Sequence, residues 1–346
     1  MKQIFKHFDA RIFSYYNEAN KIIKGVMPLP RMLNFMPSCL CNHSCVGCDW
    51  SNENKTRYVM PAEQWKKVFN ELHLQNSIRF IEFCGLGESM LHPDIHEMIL
   101  KAGEYGWIIG MITNGTKLKG KVLEDLIPRA AYIRVSMESG SQKVFDKVKR
   151  PKAAEDNFFS VCQNIKKAVK LRDELNPSCN IDYKFAVGRE NYNDMEKAVR
   201  LAADLGCDCI QFKSYRNVPS EMDDFQKGIL DKRLQELKEI HKEDIIVTGS
   251  LKSTKPTVRC FMSPVHILVD AFADAYNCCY FRHRKSSHKI GNVVKDGFSK
   301  VWSSEKHFEV IKNVKKEECE KYDCKFFKYN SLMQDFMVDS RELDII

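Results

Sequence analysis

The chain has 346 residues, of which 44% are hydrophobic, enough for one large domain or for a barrel of about 200–250 residues with a smaller module. No apolar run reaches the ~18 residues of a membrane span, and no secretory signal opens the chain, so we expect a cytoplasmic protein without a membrane partner. The net charge of +8 is dispersed among 54 basic and 46 acidic residues, which argues against nucleic acid as a partner.

The pattern of apolar residues changes along the chain. Helical spacing over the first 29 residues predicts an N-terminal helical extension, 1–29, which prolines 28 and 30 end. Short apolar segments then alternate with amphipathic ones. Predicted strands cover 32–38, 77–83, 107–113, 131–137, 180–187 and 209–213, and predicted helices cover 61–74, 92–105, 120–127, 157–173 and 193–205. This alternation predicts an α/β fold with a parallel sheet, in which ligands bind beyond the carboxyl ends of the strands.

The strand and helix alternation ends near residue 215, and we divide the chain there. The range 30–215 forms the predicted barrel domain. A linker and helix region, 216–258, contains a charged helix at 231–241 and a short strand at 245–247. A second cysteine-containing domain covers 259–330, and a C-terminal tail covers 331–346.

Three thiols lie close together after the first predicted strand. Cys41, Cys45 and Cys48 form a Cys-x3-Cys-x2-Cys pattern. Structural zinc usually takes four ligands in two pairs, a disulfide would leave one thiol over, and cysteine is also a common buried residue. Three thiols in one loop leave one iron of a [4Fe–4S] cluster open to an outside ligand. The spacing therefore favours an iron–sulfur loop.

This loop resembles that of the radical S-adenosylmethionine (SAM) enzymes. In that family the amino and carboxylate groups of SAM chelate the open iron, and reductive cleavage gives methionine and a 5′-deoxyadenosyl radical. The resemblance implies a partial (β/α)6 barrel over 30–215, a [4Fe–4S] cluster and SAM. The residue before the third cysteine is usually aromatic in the family and stacks near the adenine, whereas it is Gly47 in this chain.

Further motifs of the barrel are similar to the SAM-binding segments of that family. The segment from Gly85 through Gly87 to Glu88 resembles the Gly-Gly-Glu-Pro motif, so Glu88 is expected to bind the methionyl ammonium. Turn formation is the competing interpretation of these glycines. Asn114 belongs to a Thr-Asn-Gly segment that lies along the SAM site in the family.

The predicted fourth and fifth strands also end in polar residues. Ser136 and Glu138 alternate onto one face, which suits the ribose hydroxyls or the surroundings of the SAM carboxylate, with solvent exposure as the alternative. Lys184 and Arg189 flank the end of the fifth strand, and either could pair with the methionyl carboxylate of SAM. We favour Arg189 for the methionyl carboxylate because its guanidinium can bind a carboxylate through two hydrogen bonds.

A second set of cysteines lies near the C-terminus. Four separated thiols can complete either a zinc site or a [4Fe–4S] cluster. The run from Asn277 through Gly291-Asn292-Val293 to Trp302 resembles the SPASM module or its shortened form, twitch. The resemblance and the five cysteines imply one auxiliary [4Fe–4S] cluster, with Cys279 able to replace Cys278 in the ligand set Cys260, Cys278, Cys319 and Cys324. We hypothesise that Cys84 or the spare thiol, Cys279, donates a hydrogen atom to a product radical; packing is the alternative.

The resemblance implies an oxidoreductase or related radical enzyme that takes electrons from a flavodoxin or ferredoxin-type donor. Our first hypothesis is a small polar substrate, namely a carbohydrate, aminocyclitol or nucleotide-sugar, that undergoes dehydrogenation, epimerisation or radical elimination. The alternative is a maturase that modifies a peptide or protein side chain, although 29 residues before the barrel are too few for a leader-binding domain. A third hypothesis is a non-enzymatic iron–sulfur or zinc scaffold.

Overall fold

The computed structural model describes residues 14–338 except 217, 253–254, 279–281, 283–284, 316, 318, 320–323 and 325. It divides into two compact units. The terminal unit comprises 1–34, 61–79 and 253–346, and the sheet unit comprises 35–60 and 80–252. Strand β1 (Met32–Phe35) spans the point where the chain passes from the first to the second. Among the described residues no helix is long and apolar enough to cross a membrane.

The sheet unit is built on six parallel strands that pair in chain order. These are β2 (Phe80–Phe83), β3 (Ile108–Thr113), β4 (Ala130–Ser136), β5 (Asn180–Val187), β6 (Cys209–Ser214) and β7 (Ile246–Gly249). Alternate residues such as Ile133, Tyr183 and Phe212 are fully buried, which fits strands covered by helices on one face. The predicted α/β fold with a parallel sheet is confirmed.

Helices connect the strands. The helices of the first three quarters of the chain are α1 (Tyr16–Ile23), α2 (Ala62–Leu74), α3 (Ile95–Glu104), α4 (Gly120–Leu126), α5 (Gln142–Lys149), α6 (Phe158–Leu175), α7 (Met195–Asp204) and α8 (Asp224–Ile240). Helix α6 begins where the Asn157 side chain accepts from the Ser160 amide. Helix α8 begins in a capping box between Asp223 and Gln226.

The C-terminal part of the terminal unit is mainly short helices with a small antiparallel sheet. Its strands are β8 (His266–Val269), β9 (Asp274–Tyr276) and β10 (Gly291–Asn292). Its helices are α9 (Lys285–His288), α10 (Val293–Asp296), α11 (Phe298–Trp302), α12 (Glu305–Lys312) and α13 (Phe327–Val338). Helix α2 packs here: Lys67 Nζ donates to the Val294 carbonyl at 2.8 Å, and the Glu71 carboxylate accepts from the Phe298 amide at 2.8 Å.

Three features differ from the sequence prediction. Helix α5 was not predicted, because an eight-residue segment contains too few periods to stand out. Helix α8 begins seven residues before the predicted 231, since the capping box at Asp223 precedes the apolar pattern. Strand β7 lies in the predicted linker region, where a short strand was expected at 245–247. It pairs with β6 in parallel, so the parallel sheet continues beyond the last strand predicted for the barrel, 209–213. The predicted domain limits remain predictions.

Candidate functional site

The cluster loop, residues 41–48, is fastened to the end of helix α5. The Ser44 amide donates to the Lys149 carbonyl at 3.1 Å, and the Val46 amide donates to the Val148 carbonyl at 3.0 Å. Lys152 Nζ also donates to the Cys41 carbonyl at 2.8 Å. A cavity of about 340 Å³ adjoins the loop, lined by Cys45, Cys48, three basic side chains and their neighbours. These hydrogen bonds hold the loop against the end of α5, while Cys45 and Cys48 line the cavity.

The three thiols of the cluster loop are partly buried and influence one another. The pKa of Cys45 is raised to about 12, mainly by burial; the charge of Lys149 opposes the shift, and Glu138, Cys41 and Cys48 add to it. In the described part of the chain, no group of three Cys, His, Asp or Glu side chains lies close enough to hold a metal ion. Binding of iron would therefore have to bring the three thiols together and displace their protons. Three soft donors on one loop nevertheless fit an iron–sulfur cluster.

The Glu88 carboxylate ties two loops together. It is only 4% exposed, and it accepts from the Met90 amide at 3.1 Å, the Thr113 hydroxyl at 2.7 Å and the Asn114 amide at 2.6 Å. A carboxylate has about four accepting positions, so these bonds leave little capacity for a ligand ammonium. The structure therefore gives Glu88 a role in holding the loops, whereas its predicted bond to SAM remains a prediction.

Gly87 and Asn114 attach these loops to the cluster loop. A Cβ on Gly87 would lie 2.2 Å from the Leu40 carbonyl oxygen, so only glycine fits where the two backbones cross. Gly85 is less constrained, because its nearest contact would be 3.6 Å away. The Asn114 side chain donates to the Asn42 side chain at 2.7 Å. Both predicted motifs thus lie beside the cysteines, as the resemblance implied.

A buried ion pair lies behind the cluster loop. Lys149 is 3% exposed and Glu138 is 8% exposed, and Lys149 Nζ lies 3.4 Å from Glu138 Oε2. Glu138 has a positive φ of 58°, which turns its side chain at the end of β4. Burial alone would lower the pKa of Lys149, but the charges of Cys45 and Glu138 outweigh it and raise that pKa. Sequence reasoning missed Lys149, since nothing local distinguishes it from other helix-ending lysines.

Tyr215 packs where the family usually has an aromatic residue in the loop. A Cβ on Gly47 would lie 2.0 Å from Cε1 of the Tyr215 ring, and a Cβ on Gly188 would lie 2.2 Å from Cδ2 at the opposite edge. The ring is therefore held between two glycines. Its hydroxyl donates to the Glu138 carboxylate at 3.1 Å. Position 47 thus carries no aromatic side chain, but the ring of Tyr215, the residue after β6, packs against it.

The other predicted cofactor-binding residues lie at strand ends. Ser136 pairs in register with Lys184 across β4 and β5. Arg189 is exposed, and its backbone amide donates to the Ser220 carbonyl at 3.0 Å. The positive charge that acts on the thiols of the cluster loop comes from Lys149 and Lys152. The assignment of Arg189 to the methionyl carboxylate remains a prediction.

Of the two predicted hydrogen-atom donors, Cys84 and Cys279, the structure describes the first. Cys84 is 9% exposed just after β2, where its carbonyl accepts from the Ser89 hydroxyl at 2.9 Å. Cys279 lies outside the described residues. The hydrogen-donor role of each cysteine remains a prediction.

The predicted auxiliary ligands all belong to the terminal unit. Each is partly buried, and the described cysteines form no disulfide. Asn330 Nδ2 lies 3.8 Å from the sulfur of Cys260, and burial raises the pKa of that thiol. Cys324 packs on an apolar cluster that includes Phe326 and Tyr329. The predicted ligand set, Cys260, Cys278, Cys319 and Cys324, is not drawn together in the described part of this unit and remains a prediction.

Comparison with known proteins identifies two sequence families. The radical SAM superfamily matches residues 36–202, and an iron–sulfur cluster-binding domain, SPASM, matches residues 260–325. A tungsten-containing aldehyde ferredoxin oxidoreductase cofactor-modifying protein of Pyrococcus furiosus is 23% identical over 290 residues, which cover 77% of this chain and 79% of that protein. The antilisterial bacteriocin subtilosin biosynthesis protein AlbA of Bacillus subtilis is 22% identical over 319 residues, covering 87% and 66%.

A solved structure has a similar fold. Streptococcus suis SuiB, in a crystal structure with its precursor peptide SuiA, gives a TM-score of 0.66 at 12% identity, covering 89% of this chain and 72% of SuiB. At this identity the match shows the fold of the chain alone.

Proposed function

Since the chain is a radical SAM enzyme with a C-terminal iron–sulfur cluster-binding domain, we propose that it is a maturase that modifies a side chain of a peptide or protein. The observation that carries the proposal is the similarity over 87% of the chain to AlbA, a protein named for bacteriocin biosynthesis. The peptide-bound SuiB structure, which shares the fold, supports it. The radical SAM domain implies a [4Fe–4S] cluster and SAM, and the second domain implies auxiliary clusters.

A bound cluster and SAM would supply, on receipt of one electron from the donor, the radical chemistry that removes a hydrogen atom from the substrate. Cys41, Cys45 and Cys48 are the proposed cluster ligands. We propose that Lys149, buried beside these thiols, holds the carboxylate of SAM in place of the exposed Arg189. The Glu138 carboxylate keeps the ammonium of Lys149 in position. The contacts of Glu88 and the amide of Asn114 hold the surrounding loops in one arrangement, which positions the reacting atoms.

The C-terminal domain and the electron donor complete the proposal. Cys260, Cys278, Cys319 and Cys324, with Cys279 as the substitute for Cys278, are the proposed ligands of one auxiliary cluster that accepts an electron from the substrate radical or anchors the substrate. The three basic residues that line the cavity beside the cluster loop, Lys55, Arg57 and Lys152, suit an acidic flavodoxin or ferredoxin-type donor.

The test is anaerobic turnover with peptides encoded beside the gene. The reconstituted enzyme is incubated with SAM, dithionite and each peptide, and 5′-deoxyadenosine and peptide mass are measured together. We expect 5′-deoxyadenosine to rise with a peptide and to match the amount of mass-shifted peptide, and we expect both signals to vanish in Cys45→Ala. Formation of 5′-deoxyadenosine that responds only to sugars or nucleotide-sugars would refute the maturase and restore the first hypothesis.

The Pyrococcus furiosus relative, named for modifying a cofactor, supports a second candidate substrate. A small cofactor precursor of a metalloenzyme would then replace the peptide. Stimulation of SAM cleavage by a protein-free metabolite extract, together with no response to peptides, would favour this candidate. Absence of 5′-deoxyadenosine under every condition would favour the non-enzymatic scaffold.

A further inference from the structure

The parallel sheet has one apolar face and one polar face. On β5, Ile181, Tyr183 and Phe185 are fully buried, and helices α6 and α7 pack against this strand. The alternate residues of the same strand, Asp182 and Lys184, lie on the other face because successive side chains of a strand point in opposite directions. The same alternation places Tyr132, Arg134 and Ser136 of β4, and Cys209, Gln211 and Lys213 of β6, on that polar face.

Most of the charged groups on the polar face are already paired. Arg134 donates to Asp182 at 3.0 Å, and Tyr132 donates to the carboxylate of Glu82. Further along the strands, Glu138 is engaged by Lys149 and by Tyr215, as described above. The carboxylates of this face therefore have protein partners.

One row of residues across the sheet contains polar groups without such a partner among the described residues. Ser136, Lys184 and Gln211, here called the polar row, are neighbours in register on β4, β5 and β6. The ammonium of Lys184 makes no hydrogen bond or ion pair with any residue that the structure describes. Beside it, the buried Oε1 atom of Gln211 has no hydrogen-bond partner among the described residues.

An unpaired buried acceptor such as Gln211 Oε1 is costly, because burial removes water without a replacement, whereas the Lys184 side chain is half-buried. Burial is the main cause of the lowered pKa of Lys184, and the charges of Lys213, Arg134 and Lys149 lower it further. Only Glu138 acts in the opposite direction, and it is already engaged. The local field at Lys184 therefore favours an additional anion.

We propose that the polar row is a substrate subsite, in which Lys184 binds a peptide carboxylate and Gln211 accepts a hydrogen bond from the backbone N–H of the same residue. Adjacent strands lie about 4.8 Å apart, a separation that one amino-acid residue can span. A single ammonium beside a neutral amide matches a monoanionic carboxylate better than a phosphate, which proteins usually hold with several donors. The inference rests on the proposed peptide maturase and adds that the bound residue is acidic or is the C-terminal residue.

The cation of the polar row differs from the one assigned to SAM. Lys149 is among the main causes of the pKa shifts of Cys41 and Cys45, and its ammonium lies 3.4 Å from Glu138. Lys184 lies instead in register with Ser136 and Gln211 across the sheet. The two lysines are thus placed for two different anions.

The test measures peptide binding to the reconstituted full chain with SAM bound. The probes are acetyl-Ala-Glu-Ala-amide, its neutral analogue acetyl-Ala-Gln-Ala-amide, acetyl-Ala-Ala-Ala-acid and glutarate, titrated calorimetrically. We expect a carboxylate peptide to bind about tenfold or more tightly than the neutral peptide, since a charge-assisted hydrogen bond contributes at least that factor. The first and third probes distinguish a side-chain carboxylate from a C-terminal one.

The informative variant is Lys184→Met, and Lys170→Met is the matched control, because the Lys170 side chain is 81% exposed on helix α6. Lys184→Met should abolish the preference for a carboxylate and leave SAM affinity unchanged. It should not lower the thermal midpoint, since the half-buried ammonium of Lys184 makes no hydrogen bond or ion pair with a described residue. A preference that survives in Lys184→Met, a loss of SAM affinity or a lowered midpoint would each overturn the subsite. Binding of glutarate that depends on Lys184, with no peptide bound, would keep the subsite and refute the peptide maturase.

Discussion

The packing of Tyr215 between two glycines gives a sharp prediction for Gly47→Ala. The new Cβ would lie 2.0 Å from the ring, whereas ordinary carbon contacts begin near ~3.5 Å, so a shift of more than an ångström is required. The ring cannot move away, because Gly188 already touches its opposite edge. Overpacking of this kind lowers the free energy of unfolding by about 1–3 kcal/mol. Because Gly188 limits movement of the ring, we expect Gly47→Ala to cost about 3 kcal/mol, the upper end of that range.

A double-mutant cycle measures this clash in the apoprotein by denaturant unfolding. Tyr215→Ala should cost about 3–5 kcal/mol by itself, and adding Gly47→Ala to it should cost almost nothing further, because the ring is gone. Gly85→Ala is the matched control, since its Cβ would meet its nearest neighbour at an ordinary 3.6 Å. Equal destabilisation by Gly47→Ala with and without the Tyr215 ring would refute the argument.

Three further predictions concern metal content, charge and pH. Cys45→Ala should lose about four irons per chain on anaerobic reconstitution, while Cys179→Ala, at a buried cysteine on no predicted cluster, should lose none. Lys149→Met should destabilise by about 3–5 kcal/mol by leaving Glu138 buried without its cation, and adding Glu138→Gln should restore most of this; no recovery in urea unfolding would contradict the pairing. Burial lowers the pKa of fully buried His307 to about 4, so its contribution to stability is complete above pH 6.5 and is lost as pH falls toward 4, by about 1.4 kcal/mol per unit. His307→Gln should flatten that part of the stability profile, and an unchanged slope would contradict the assignment.

The parts of the fold and site that could be predicted from the sequence are those that depend on local patterns. Alternating apolar segments predicted the parallel sheet because each strand and helix has its own period. The spacing of Cys41, Cys45 and Cys48 indicated the cluster loop because ligand spacing is itself a chemical constraint. The glycines of 85–87 were interpreted as allowing the backbone to approach a ligand, and the structure shows that Gly87 also approaches the Leu40 backbone.

The parts that could not be predicted depend on contacts between distant residues. Lys149 becomes distinctive only when the φ of 58° at Glu138 brings the carboxylate to it. Tyr215 follows the sixth strand, and only the folded chain places its ring against Gly47. Glu88 looked like a ligand-binding carboxylate, but its bonds to the Thr113 and Asn114 loop could not be read from a motif.

The membership of helix α2 in the terminal unit bears on how the protein is synthesised. Its residues Lys67 and Glu71 leave the ribosome long before their partners at Val294 and Phe298 exist. These contacts of the helix therefore form only when translation is nearly finished. A truncation that removes the C-terminal residues would also remove these partners of α2. The C-terminal cluster-binding domain therefore cannot be deleted without losing contacts of a helix near the start of the chain.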